Sequence, residues 1–166
     1  MFTLLSIAEA SLTTPTSAQR FPLGAIISVQ EPFSTTACIK RYVYAQAPVG
    51  GCTAYNAYLI DFTSTAASEV VAGTPATSSV YRWYAVAPVT FTASYYGWFQ
   101  IEGQCTATST TDTTIGNTGK CANGVTTVTD EAAATISASS IGMWLETGTG
   151  SGDRSLLLFG HRATVA

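Results

Sequence analysis

Charge is what this sequence has least of. Only 10% of its 166 residues are Asp, Glu, Lys or Arg, against roughly 25% in an ordinary soluble domain. Seven Lys plus Arg stand against ten Asp plus Glu, for a net charge of −3. The one adjacent cationic pair is Lys40 and Arg41, so no basic stripe exists to neutralise phosphates, and nucleic acid is not an expected partner. Histidine is reduced to a single residue, His161. Any Ser-His-Asp or Cys-His mechanism would need it as the base, yet its neighbours Gly160 and Arg162 form no catalytic signature, and a polar residue at a strand end is the plainer reading. One His and scattered Cys also leave too few ligands for a metal site.

Close cysteine pairs are missing too. Cys38, Cys52, Cys105 and Cys121 lie far apart, which excludes a zinc knuckle, and a chain of this size folds without staples. Buried free thiols are the ordinary reading, with one or two disulfides as the alternative. No uncharged apolar run approaches the roughly 18 residues that span a bilayer, so the positive mean hydropathy reflects Ala, Val and Ile spread along the chain, and no membrane is expected. Phe2 to Ala10 is apolar enough to suggest a signal peptide, but no Lys or Arg precedes it and Glu9 interrupts it; it reads as part of the mature protein. No repeat with a period of 20 to 50 residues is visible, which removes solenoids and propellers.

What the chain does have is apolar and β-forming residues: 46% hydrophobic and 11% aromatic, enough to bury one core. Ile39 to Ala45 alternates Ile39, Arg41, Val43 and Ala45 on one face with Lys40, Tyr42 and Tyr44 on the other, the pattern of a strand. Pro48, Gly50 and Gly51 then make a turn, and Tyr55 to Phe62 resumes the strand-like composition. Thr63 to Ser79 is mostly Ser, Thr and Ala with Gly73 and Pro75, and reads as an exposed loop. Val80 to Ala87 and Tyr95 to Glu102 carry the densest β signal, with Trp83, Tyr84, Trp98 and Phe99 as expected core anchors. Beyond Gly103, Thr alternates with small residues, and Asn117, Gly119, Asn123 and Gly124 supply turns between short strands. Asp130 to Ala138 reads as a turn or short strand. Ile141 to Glu146 and Ser155 to Gly160 form a closing hairpin around Thr147 to Asp153.

Residues 1 to 30 lack periodicity and contain Pro15, Pro22 and a Ser/Thr-rich stretch. The expected architecture is therefore all-β: a compact antiparallel barrel or sandwich over 31–166, with an extended N-terminal arm over 1–30. The apolar arm residues Phe2, Leu4, Leu5, Ile7, Phe21 and Leu23 would be costly in water, at roughly 1.5 to 3 kcal/mol for each large side chain. They are expected to dock on this domain or on a neighbour, and are the candidate partner-contact residues. A surface so poor in charge has weak protection against association, which favours an assembly.

Catalytic constellations are thin. Asp61, Glu69, Glu102, Asp112, Asp130, Glu131, Glu146 and Asp153 could meet as an acid-base pair, but solvated carboxylates are the ordinary reading. A glycan-active β-barrel would need such a pair in a cleft. Gly148 to Asp153 lacks the Lys-Ser/Thr ending of a phosphate loop and does not open a helix. The aromatic clusters Tyr81 to Tyr84 and Tyr95 to Phe99 would form a sugar- or base-stacking platform only if several rings faced outward. The expectation is a protein without enzymatic activity, cofactor or metal.

Ala85 to Gly103, and above all Tyr96-Gly97-Trp98-Phe99-Gln100-Ile101-Glu102-Gly103, resembles a pattern of small bacteriophage capsid decoration (cement) proteins. Arg41 to Ala45 is similar to their early strand, and Cys105, the Thr-rich stretch and the apolar hairpin continue the likeness to the C-terminus. The sequence departs from the pattern at Ala85-Val86-Ala87, where a glycine would open the strand, and in a longer Thr-rich region. The resemblance implies a structural virion protein, assembled in the host cytoplasm, that sits on the capsid surface and stabilises the shell by binding the major capsid protein. It also implies a homo-oligomer, favouring trimers at local three-fold positions. A phage tail module that binds a receptor or glycan is the competing expectation.

Overall fold

The computed structural model describes residues 9–30, 39–61, 71–73, 81–122, 124–131, 136–137, 139–160 and 162–163. One helical turn, α1 (Glu9–Leu12), precedes eleven strands: β1 (Ile26–Gln30), β2 (Ile39–Gln46), β3 (Ala57–Asp61), β4 (Val71–Gly73), β5 (Tyr81–Val86), β6 (Tyr96–Ser109), β7 (Thr118–Cys121), β8 (Val128–Glu131), β9 (Ser140–Trp144), β10 (Gly152–Phe159) and β11 (Arg162–Ala163). The fold is all-β and barrel-forming, as the alternation of aromatic and β-branched residues predicts. Three expectations need correction. Strand β4 interrupts the loop predicted over Thr63 to Ser79, and the strand predicted over Tyr95 to Glu102 runs on to Ser109 through Thr-rich sequence. Trp83 is only partly buried, whereas Tyr84, Trp98 and Phe99 are core residues.

The strands close two rings that share β6. In the first, β2 pairs with β6 antiparallel and with β4 parallel, β3 joins β4 to β5, and β5 returns to β6 through Val86 opposite Gln100. The second repeats this plan strand for strand, with β6, β7, β8, β9 and β10 in the places of β2, β3, β4, β5 and β6. Even the end caps correspond. Cys52 bridges to Phe91 in one ring and Thr113 to Gly148 in the other. The Thr90 hydroxyl accepts from Ala54 N–H at 3.3 Å, as that of Thr147 does from Ile115 N–H at 3.1 Å. Tyr55 and Gly116, each followed by an Asn that immediately precedes the next strand, both have positive φ, 63° and 87°.

Each ring has its own interior. Val43, Ala45, Tyr58, Ile60, Ala85, Phe91, Phe99 and Ile101 fill the first, where Phe91 stacks on Phe99 with ring centroids 4.4 Å apart. Ala107, Cys121, Val128, Ile141, Trp144, Leu156 and Leu158 form the second cluster, which continues onto Ala57, Leu59, Tyr84 and Val86. Alternate residues of β3 and β5 therefore serve the two clusters, so both faces of these strands are apolar, as the period of two requires for a strand buried on both sides.

Strand β6 serves both rings because it bends. Gly103 has φ +89°, and a Cβ there would lie 2.6 Å from the Ile39 carbonyl oxygen, so only glycine fits. The ladder to β2 shifts register at Arg41/Tyr42. The buried Gln100 amide spans the bend, its Nε2 donating to the carbonyls of Glu102 at 3.1 Å and Gln104 at 2.9 Å.

Candidate interaction surface

On the outer face of the first ring, Tyr44 lies opposite Trp98 and Gln46 opposite Tyr96, which presents several aromatic side chains away from the interior. That face is not open. The N-terminal segment crosses it, with Thr16 bridged to Tyr96 by two backbone hydrogen bonds of 2.9 and 2.8 Å. Leu12 is buried against Tyr42, Tyr44 and Trp98, with Phe21, Leu23, Ala25, Ile27 and Val29 packed around them. Phe21 holds Tyr44 edge-on at 5.3 Å and Trp98 at 5.2 Å, and the Tyr44 hydroxyl accepts from Arg20 N–H at 3.1 Å. A cleft of about 330 Å³ remains beside this strap, lined by Ser11, Thr14, Arg20, Tyr96 and Trp98 among others.

The equivalent face of the second ring is chemically different. Gln104, Thr106 and Thr108 of β6 stand opposite Leu157, Ser155 and Asp153 of β10, and Thr108 Oγ1 donates to Asp153 Oδ1 at 2.8 Å. The strap lies on the aromatic face of the first ring, and the corresponding face of the second ring is rich in Thr.

The strap then enters the sheet. Strand β1 pairs antiparallel with β2, Ile26 opposite Val43 through Gln30 opposite Ile39. A row of side chains on one face runs across four strands, from Ser28 to Arg41, Glu102 and Phe159. Arg41 Nη1 donates to Glu102 Oε2 at 3.0 Å, and the exposed Ile26, Ile39 and Phe159 flank the pair.

Of the candidate partner-contact residues, Phe21 and Leu23 dock on this domain, while Phe2, Leu4, Leu5 and Ile7 lie outside the described residues, as do Cys38, His161 and Glu69. Cys52, Cys105 and Cys121 are free thiols, and burial pushes each from the ordinary 9.0 up to about 12. Six carboxylates are engaged locally: Glu102 with Arg41, Asp130 with Asn117, Glu131 with Lys120, Asp153 with Thr108, and Asp112 and Glu146 with the backbone N–H groups of Gly150 and Ser155; the side chain of Asp61 lies outside the described residues. Among the described residues no three His, Cys, Asp or Glu side chains gather as a metal site. The Gly148 to Asp153 loop is tied by Asp112 and by Arg154, whose Nη2 donates to the Thr149 carbonyl at 3.2 Å. Sequence reading missed β1 as a surface, although Ile26-Ile27-Ser28-Val29-Gln30 carries the β-branched signal.

Ring plan, shared strand and strapped face together define a class, the tandem double β-barrel with a common central strand. This chain is similar in fold to the crystal structure of the head fiber gp8.5 N base of bacteriophage phi29. The two superpose with a TM-score of 0.51 over 70% of this chain and 92% of that one, at 12% sequence identity. No protein-family model matches the sequence, and no curated protein matches it. The likeness is one of fold.

Proposed function

We propose that this chain is a non-enzymatic structural protein of a bacteriophage virion, carried on the outer surface of the capsid, where it binds the major capsid protein and stabilises the shell. The observation that carries the reading is the fold shared with the phi29 head fiber base. The resemblance at Tyr96 to Gly103 and the charge-poor surface point the same way. The protein works as a homo-oligomer, with a trimer as the form that suits local three-fold positions. Phe2, Leu4, Leu5 and Ile7 are its contact residues for a neighbouring subunit.

The mechanism is linkage: a ligand that binds the assembled lattice, and not the disrupted one, shifts the equilibrium toward the intact particle. Many copies multiply a modest contact. A glycan-binding tail module draws less support, because Trp98, Phe99 and Tyr84 are buried instead of forming an outward platform. Co-sedimentation of the purified full chain with capsids of the phage that encodes it tests the proposal. Saturable binding at a fixed copy number per particle, with slower capsid disruption on heating, is the expected result; absence of binding would overturn it.

A further inference from the structure

Among the described residues, every strand of the two rings has hydrogen-bonding neighbours on both sides, whereas β1 pairs with β2 alone. The ladder fixes which groups are left over. The Ala25 carbonyl accepts from Tyr44 N–H at 2.9 Å, and the register continues through Ile27 opposite Tyr42 and Val29 opposite Lys40. Antiparallel pairs alternate between bonded and non-bonded positions. Ile27 and Val29 therefore bond to β2, while Ile26, Ser28 and Gln30 turn their N–H and C=O groups outward, and these three residues are the exposed ones.

Free edges in natural sheets are guarded by Lys, Pro, bulges or a covering element. Ile26-Ile27-Ser28-Val29-Gln30 has no charge and no proline, and its pairing with β2 has no bulge. Apolar side chains flank it above and below: Ile26, with Ile39 at 61% exposure, on one face, and the partly covered Ile27 and Val29 on the other.

The chain carries a segment of matching chemistry. Phe2-Thr3-Leu4-Leu5-Ser6-Ile7 is uncharged, with apolar residues at both parities of an extended strand, and its length of about 20 Å covers an edge the size of β1. It joins the described chain at α1, whose Leu12 packs on the side chains of Tyr42, Tyr44 and Trp98 and thus lies one layer above the sheet.

We propose that residues 2–7 of one copy add as a strand to β1 of a second copy, so that successive copies join head to tail and close into a ring. This rests on the reading of the chain as an oligomeric virion protein, and it names the surface that receives the arm. Main-chain hydrogen bonds supply the affinity and alternate apolar side chains the register, while a heterologous contact that closes gives a cyclic oligomer.

Two full-length-based variants and their mixture decide it. Ser28→Pro removes an outward N–H and spares the bonds to β2; deletion of residues 2–7 removes the arm and spares the edge. By light scattering, the full chain is expected at a multiple of 17.3 kDa and each variant as a single chain. An equimolar mixture should give a two-chain complex, because one variant supplies the arm and the other the edge. Amide exchange at Ser28, slow in the full chain and fast in the deletion variant, reads the same contact without the proline. A full chain that is monomeric, an oligomer that survives both variants, or a mixture that stays monomeric would overturn the proposal. Capsid co-sedimentation is scored separately: an oligomer that fails to bind capsids sinks the virion reading alone, and a capsid-binding monomer sinks the arm pairing alone.

Discussion

Three cysteines show how single residues report on the two interiors. Cys52 and Cys121 are buried and Cys105 is partly so, and desolvation of the thiolate is the main reason each is held near 12 instead of 9.0. Between those values the unfolded chain has lost protons that the folded chain keeps, so stability from these groups is intact below pH 9 and is lost as pH rises toward 12. Melting curves from pH 8 to 11 should therefore fall, and a variant with Cys52, Cys105 and Cys121 replaced by Ala should fall less steeply. At pH 8, iodoacetamide should label these three positions only after denaturation, as peptide mass spectrometry would show.

Among the elements, β6 has the most demanding task, and Gly103 makes it possible. Ala at 103 would combine a left-handed backbone with a Cβ 2.6 Å from the Ile39 carbonyl oxygen, so Gly103→Ala is expected to cost at least about 2 kcal/mol, measurable by urea denaturation. The strands on either side of this bend were legible to different degrees. Ile39 to Ala45 and Val80 to Ala87 announce themselves because both faces carry large or β-branched residues. The second half of β6, Gln104 to Ser109, did not: its outer face is Thr because it meets water, and its inner residues Cys105 and Ala107 are small. Strand β1 was hidden at the end of a segment that lacks periodicity and is broken by Pro15, Pro22 and a Ser/Thr-rich stretch. The arm contacts of Phe21 and Leu23 were legible as apolar residues needing cover, while the identity of the covering surface, Tyr44 and Trp98, depends on long-range pairing that no local pattern encodes.

For the whole molecule, the internal duplication is the feature that sequence concealed. Its spacing of roughly 60 residues exceeds the periods of common repeat folds, and the interiors exchange large for small residues at equivalent places. Phe91 in one cap answers to Gly148 in the other, Ala87 to Trp144, and Tyr58 to Gly119, so the two interiors take their large side chains from different positions. Because β6 is common and β3 and β5 touch both clusters, the rings should unfold together. Phe91→Ala and Trp144→Ala, one in each interior, should each cost about 3 to 5 kcal/mol. Each should also shift one transition that is identical by circular dichroism and tryptophan fluorescence; two separated transitions would show that the rings are independent.

A shared strand also sets a rule for growth. Each added ring requires four new strands, because the last strand of one ring becomes the first of the next, provided that strand is long enough to overhang. Strand β6, at 14 residues, overhangs; β10, at 8, does not, and the chain after it turns back to lay β11 against β5. Lengthening β10 past Gly160 would therefore be the first step in building a third unit onto this scaffold.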